Sequence, residues 1–247
     1  MNVKLSTGAD SLEADFRRAM EIPLGEEQRL RASLQGLMGA LLARRDLKTN
    51  PKAQSMLLCG RSEAAELRRS RCELRELTED LCAAADLLLH PLGRVVRFEA
   101  PEEPAEALCD PRDFSWLVLE LICNAARHCH GEEIKVSLDL KRHSRRHRPR
   151  ACTLTVECRG PLDLERLHAA ASREGSGVSA LLRAAWLHHG AILWLRRDGV
   201  SAAALRIPLE RGRGGDWYDA PDHVELLSDR CSQVYIALAP VIAMVNA

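Results

Sequence analysis

The stretch LELICNAARHCHG, residues 119–131, places Glu120 and Asn124 four residues apart, with Arg127 and His128 one turn further on. Positions i and i+4 of a helix share a face, so this spacing gathers the polar groups on one side of an otherwise apolar segment. A carboxylate, an amide and two basic groups make poor core material and good ligand-binding material. The amide oxygen of Asn124 suits a hard divalent cation such as magnesium, and Arg127 and His128 suit phosphate oxygens. Glu120 suits the orientation of a water or hydroxyl in hydrolysis or transfer. The chemistry such a set could do is that of a magnesium nucleotide. Polar residues on a helix are more often simply solvated, so the elements around them have to decide.

Two further segments bear on that chemistry. GSGVSALLRAAWLHHG begins as a glycine-rich turn with Gly175 and Gly177 and continues as a helix. Glycines at a helix start let backbone amides approach an anion closely. ECRGPLD, with Cys158 and Gly160, is a turn at the end of an alternating strand.

The elements that must position these groups follow from periodicity. Residues 26–45 put Leu30, Leu34, Leu37 and Leu41 on one helical stripe, and a second helical pattern runs from Asn50 and Pro51 to Leu89. Together they predict an antiparallel helical hairpin. From residue 91 the texture changes: a strand at Val95–Phe98, a helix over 112–129, and the strand EIKVSLDL. The strands CTLTVEC, AILWLRR and AAALRIPL follow, the last two after the glycine-rich helix. The expected fold is α+β: a helical hairpin followed by a two-layer α/β sandwich, a mixed sheet with helices on one face. The division is 1–25 as an N-terminal helical extension, 26–90 as the hairpin, 91–211 as the sandwich and 212–247 as a helical tail.

Composition narrows the partners. Lys+Arg and Asp+Glu stand at 35 each and aromatics make up 4% of the 247 residues, which argues against nucleic-acid binding. The basic run KRHSRRHRPR reads as a solvated loop between two strands. No stretch is long enough to span a bilayer, VYIALAPVIAMV being short and holding Pro240. Nine scattered cysteines without a CxxC pair fit free thiols in a reducing cytoplasm. Cys123, His128, Cys129 and His130 lack the paired spacing of a zinc site.

In this order the motifs resemble the ATP-binding domain of sensor histidine kinases, a fold shared with gyrase and the heat-shock chaperone ATPases. LELICNAARH is similar to that family's asparagine box, GSGVSALLRAAWLHHGAILWL to its second glycine box, and DGVSAAALRIPL to its closing strand. The resemblance covers about residues 92–210. It implies ATP and magnesium as ligands, with Asn124 on the metal and Glu120 or His128 near the reacting phosphate. It also implies that Arg127, Cys158, Gly160, Gly175 and Gly177 line the nucleotide site. It implies a homodimer through the hairpin and a place in two-component signalling, with a response regulator or an intact kinase as partner.

Three departures accompany it. The family's adenine-contacting aspartate falls on Cys158, and a thiol is a weak acceptor. Losing a charge-assisted hydrogen bond costs on the order of 1.5–3 kcal/mol, roughly ten- to a hundredfold in affinity. Ser179 stands where a glycine is expected, and the segment from Gly160 to Gly175 is short for a lid. The first hairpin helix has no histidine, the earliest in the chain being His90. The expectation is therefore a degenerate, dimeric module acting by protein binding; the alternative is an active ATP-dependent kinase or ATPase of the same fold.

Overall fold

The computed structural model describes residues 69–128, 130–143, 146–161, 164–171, 177–209, 216–229 and 232–245. The predicted hairpin helix over 26–45 lies outside them, as do Gly175, Cys129 and Leu162. The chain enters as a short strand β1, Ser70–Glu73, and continues directly into helix α1, Leu74–Leu89. This corrects the helix expected to run unbroken to Leu89. Glu73 ends the strand in extended geometry, and its carboxylate accepts from the amides of Arg75 and Glu76, starting the helix where it does. The same carboxylate takes the Ala105 amide at 2.6 Å.

Two further strands precede the second helix: β2, Val95–Glu99, and β3, Glu106–Cys109. Helix α2, Pro111–His128, starts with proline in its first turn, where a missing N–H costs nothing. The strands β4, Glu133–His143, and β5, Arg146–Arg159, form a long hairpin. They are followed by α3, Leu164–Ala171, and α4, Gly177–Leu187. A second hairpin pairs β6, Ala191–Arg197, with β7, Val200–Pro208. Two C-terminal helices, α5 (His223–Ser228) and α6 (Gln233–Val245), complete the unit. The basic run belongs to the β4–β5 ladder, where Lys141 pairs with Ala151 and Arg142 with Pro149, and so is not the loop expected of it.

The main sheet has the order β2-β4-β5-β7-β6, with β2 parallel to β4 and the other neighbours antiparallel. It is the expected mixed sheet. Alternation sorts its residues: Ile134, Val136, Leu138, Cys152, Leu154, Val156 and Cys158 are buried, while Thr153, Thr155 and Glu157 between them are half-exposed. The buried face meets α2, whose Leu117, Leu119 and Ile122 are fully enclosed. Burying each such side chain contributes about 1.5–3 kcal/mol. The separate pair β1 and β3 is antiparallel and gains Trp217 as a parallel bridge to Arg71.

The C-terminal segment packs on the unit itself. Val234, Ala237, Leu238 and Val241 of α6 form a buried stripe against α2 and α1. The α5 helix is tied to α1 through the Asp80 carboxylate, which accepts the His223 amide at 3.1 Å. One buried cluster thus runs from Cys72 to Val241.

Candidate functional site

Helix α2 lies against β4 and β5 on one side and touches α4 on another. Its enclosed residues leave Glu120 and Asn124 only partly covered, and Arg127 and His128 exposed at its end. The four groups predicted from spacing therefore form one seam along α2. Glu120 and Gly177 meet closely: a Cβ placed on Gly177 would stand 3.3 Å from Glu120 Oε1. A larger residue at the start of α4 would push the carboxylate aside, so the glycine lets the two segments approach. The amides of the first turn of α4 are thereby brought to the side of α2 that carries Glu120.

Burial pushes the Glu120 carboxyl up to about 7, against a smaller opposing pull from Arg127. A carboxyl poised near neutrality can hold or release a proton under working conditions. The Cys123 thiol, one turn earlier than Arg127, is pushed up to about 12 by burial and by Glu120. It is a neutral core group, and no cluster of three or more metal-ligating His, Cys, Asp or Glu side chains occurs among the described residues.

The far wall of the seam is the end of β5. Cys158 pairs in register with Ile134 on one side and Ser201 on the other, and its side chain is buried on the helix-bearing face. It is disulfide-bonded, which corrects the expectation of free thiols throughout. Cys72, Cys82, Cys109, Cys123 and Cys152 are free. Glu157 lies on the opposite face and cannot replace an acceptor at position 158.

After Cys158 the chain is held by its backbone. The amides of His130 and Gly131 both donate to the Arg159 carbonyl, at 3.0 and 3.1 Å. The Gly160 amide donates to Gly199, and the Ser201 hydroxyl donates to the Gly160 carbonyl at 2.6 Å. A Cβ on Gly131 would lie 3.1 Å from Cβ of Arg159. The exit of α2 and the end of β5 are thus packed together. Arg94 adds a hydrogen bond to the Gly131 carbonyl.

The turn after α4 shows a further constraint. His189 has φ 54°, and Gly190 approaches β7 so closely that a Cβ there would stand 2.4 Å from the Arg206 carbonyl oxygen. His188, just before it, is buried with Nε2 lacking a partner, and burial holds its pKa down to about 4. Periodicity alone does not reveal this constraint. The signal that was available is the glycine following two histidines at the end of an apolar helix.

The donor set suits one end of a nucleotide better than the other. An amide oxygen at Asn124, cations at Arg127 and His128, and a helix start at Gly177 fit phosphates and a magnesium ion. A half-cystine at position 158 offers no charged acceptor to a purine amino group. A shallow depression of about 450 Å³ lined by Pro101, Glu102, Glu103, Asp139 and Leu140 opens elsewhere, beside the far part of β4, and is not part of this seam.

No family model matches the sequence, and no curated protein matches it. Solved structures do resemble the fold. The histidine kinase AdeS of Acinetobacter baumannii aligns over 75% of this chain and 98% of its own, at 16% identity and a TM-score of 0.51. Full-length ShkA, solved in complex with AMPPNP, aligns over 77% of this chain and 46% of its own, at 14% identity and a TM-score of 0.54. The chain has the fold of the histidine kinase ATP-binding domain.

Proposed function

We propose that this protein is a histidine-kinase-like module of two-component signalling whose nucleotide cradle has lost its purine grip and which acts by binding protein. The single observation that carries this reading is Cys158: buried, disulfide-bonded and set on the inner face of β5, where the resemblance places the adenine-contacting aspartate. A charged acceptor there would select adenine; a half-cystine does not. The proposed partners are a second copy, through the part of the 26–90 hairpin that precedes β1, and a response regulator or intact kinase. A cytoplasmic site of action belongs to the proposal. What supports it is that no helix among the described residues is long and apolar enough to cross a membrane. The division into 1–25, 26–90, 91–211 and 212–247 is carried forward with one amendment: α1 and α6 share the sandwich core and fold with it.

A second reading, active ATP turnover, is favoured by Glu120, whose carboxyl near neutrality sits beside the start of α4. In that reading Asn124 holds magnesium, Arg127 and His128 hold phosphate oxygens, and Glu120 accepts a proton from a hydroxyl or water. ATP supplies the transferable phosphoryl group when bound.

Thermal unfolding with and without magnesium-ATP separates the two. At a nucleotide concentration equal to the dissociation constant, the gain is only about 0.4 kcal/mol. The first reading expects a melting shift below about 2 °C at millimolar nucleotide. A larger shift that Asn124→Ala abolishes would overturn it in favour of the second.

A further inference from the structure

Away from the seam, the small sheet contains a pair of thiols that the proposed function does not use. Cys72 of β1 and Cys109 of β3 have their Sγ atoms 3.1 Å apart, and both side chains are buried. The register places Cys72 opposite Ala107 and Cys109 opposite Ser70, so the two sit diagonally across an antiparallel pair. A disulfide closes at about 2.05 Å, which leaves roughly one ångström of sulfur movement. Cys82, a comparably buried thiol on α1, has no such sulfur neighbour described and serves as a control.

We propose that Cys72 and Cys109 are an oxidisable pair that locks β1 onto β3. The co-reactant is a low-molecular-weight disulfide such as oxidised glutathione. One protein thiolate attacks it, forming a mixed disulfide and releasing one equivalent of thiol. The second protein thiolate then displaces the other glutathione sulfur, forming the Cys72–Cys109 bond and releasing a second thiol. Two protein thiols are oxidised and one external disulfide is reduced to two thiols.

The place of this pair gives the bond a consequence. β1 is where the first 68 residues join the described unit, and β3 leads through Asp110 directly into α2, the helix of Glu120 and Asn124. β1 is otherwise held by β3, by the Arg71 and Tyr218 amides bonding to Asp216 and Arg71 carbonyls, and by Arg71 over the Trp217 ring. A covalent link would fix the entry strand to the strand that starts α2. The thiolate is the attacking species, and the S–H···S contact with Cys72 together with burial pushes the Cys109 thiol far above its ordinary range. Oxidation therefore proceeds through transient opening of β1, slowly in native buffer and faster at low denaturant.

The test uses the full chain, equilibrated in oxidised glutathione, then alkylated and digested with trypsin without reduction. The expected product joins peptide 72–75 to peptide 98–112, each of which holds a single cysteine. Oxidised protein should melt several degrees above the reduced form. Cys72→Ala and Cys109→Ala should each remove the linked peptide and the part of the melting difference that the Cys158 disulfide does not account for, while Cys82→Ala keeps both. Full alkylation of Cys72 and Cys109 after prolonged oxidation would overturn the proposal, as would either one linked to a different cysteine. If either alanine variant fails to fold, the peptide map of the unmodified sequence decides alone.

Discussion

Replacing Glu120 with glutamine should stabilise the protein at alkaline pH and leave it nearly unchanged in acid. Burial raises this carboxyl from an ordinary value of 4.5 to about 7. Below pH 4.5 the group is protonated in folded and unfolded chains alike and contributes nothing to pH dependence. Between pH 4.5 and about 7 the folded chain keeps a proton that the unfolded chain has released, so stability falls as pH rises. Each pH unit in that window is worth about 1.36 kcal/mol, and the whole interval carries about 3 kcal/mol. Above about pH 7 the penalty is fully present. Glutamine has the shape of the protonated acid and never ionises. At pH 8.5 Glu120→Gln should exceed the unmodified protein by about 3 kcal/mol, roughly 6–12 °C in melting temperature for a chain of this size. At pH 4.5 the two should agree within about 0.5 kcal/mol. Urea denaturation of both proteins at both pH values gives the comparison directly, since other titrations cancel in the difference. An equal difference at the two pH values, or a larger one in acid, would refute the argument that the seam between α2 and α4 desolvates this side chain.

Other perturbations follow from the same geometry. Gly190→Ala drives a Cβ to 2.4 Å from the Arg206 carbonyl, a backbone atom that cannot rotate away. Overpacking of this kind costs about 1–3 kcal/mol or more and should appear as a lower urea midpoint with an unchanged slope. His188→Leu removes a buried nitrogen without a partner and a ring held down to about 4 from an ordinary 6.5. As pH falls from 6.5 toward 4, the unfolded chain takes up a proton that the folded chain refuses, and stability is lost. The leucine variant escapes that loss, so its advantage should grow to about 3 kcal/mol at pH 4, the reverse of the Glu120→Gln trend. A flat difference across that range, measured by urea denaturation, would count against burial of the ring.

The sequence made the sandwich legible because its strands alternate and its helices carry apolar stripes. Strand β6 matches its expected span and α2 differs by one residue at each end. The short strands β1 and β3 escaped because four residues offer too little alternation. SRCE also sits inside a leucine periodicity that runs on into α1. Of the seam, the order of polar groups on α2 was visible, since i, i+4 spacing is local. The closeness of Gly177 to Glu120, where an added Cβ would stand 3.3 Å from Oε1, and the rise of that carboxyl by burial were not, because both depend on how two helices separated by a hairpin pack. Neither was the disulfide at Cys158, since no local cysteine pattern announces it.

If the proposed function holds, the two ends of the seam have diverged, and that divergence gives a sharper test than affinity alone. On the proposed function Asn124, Arg127, His128 and the start of α4 supply the groups for phosphate and metal, whatever base is attached. A charged acceptor at position 158 would discriminate adenine from guanine by a hydrogen bond worth on the order of 1.5–3 kcal/mol. Without it, binding that remains must arise from the phosphate end and be nearly indifferent to the base. Magnesium complexes of ATP, GTP and inorganic tripolyphosphate should then compete within about threefold of one another, a spread below 1 kcal/mol. Competition against a fluorescent nucleotide measures this even for weak ligands. A preference for ATP above about tenfold requires an adenine acceptor elsewhere in the site, and the role argued for Cys158 would fall while the fold stood.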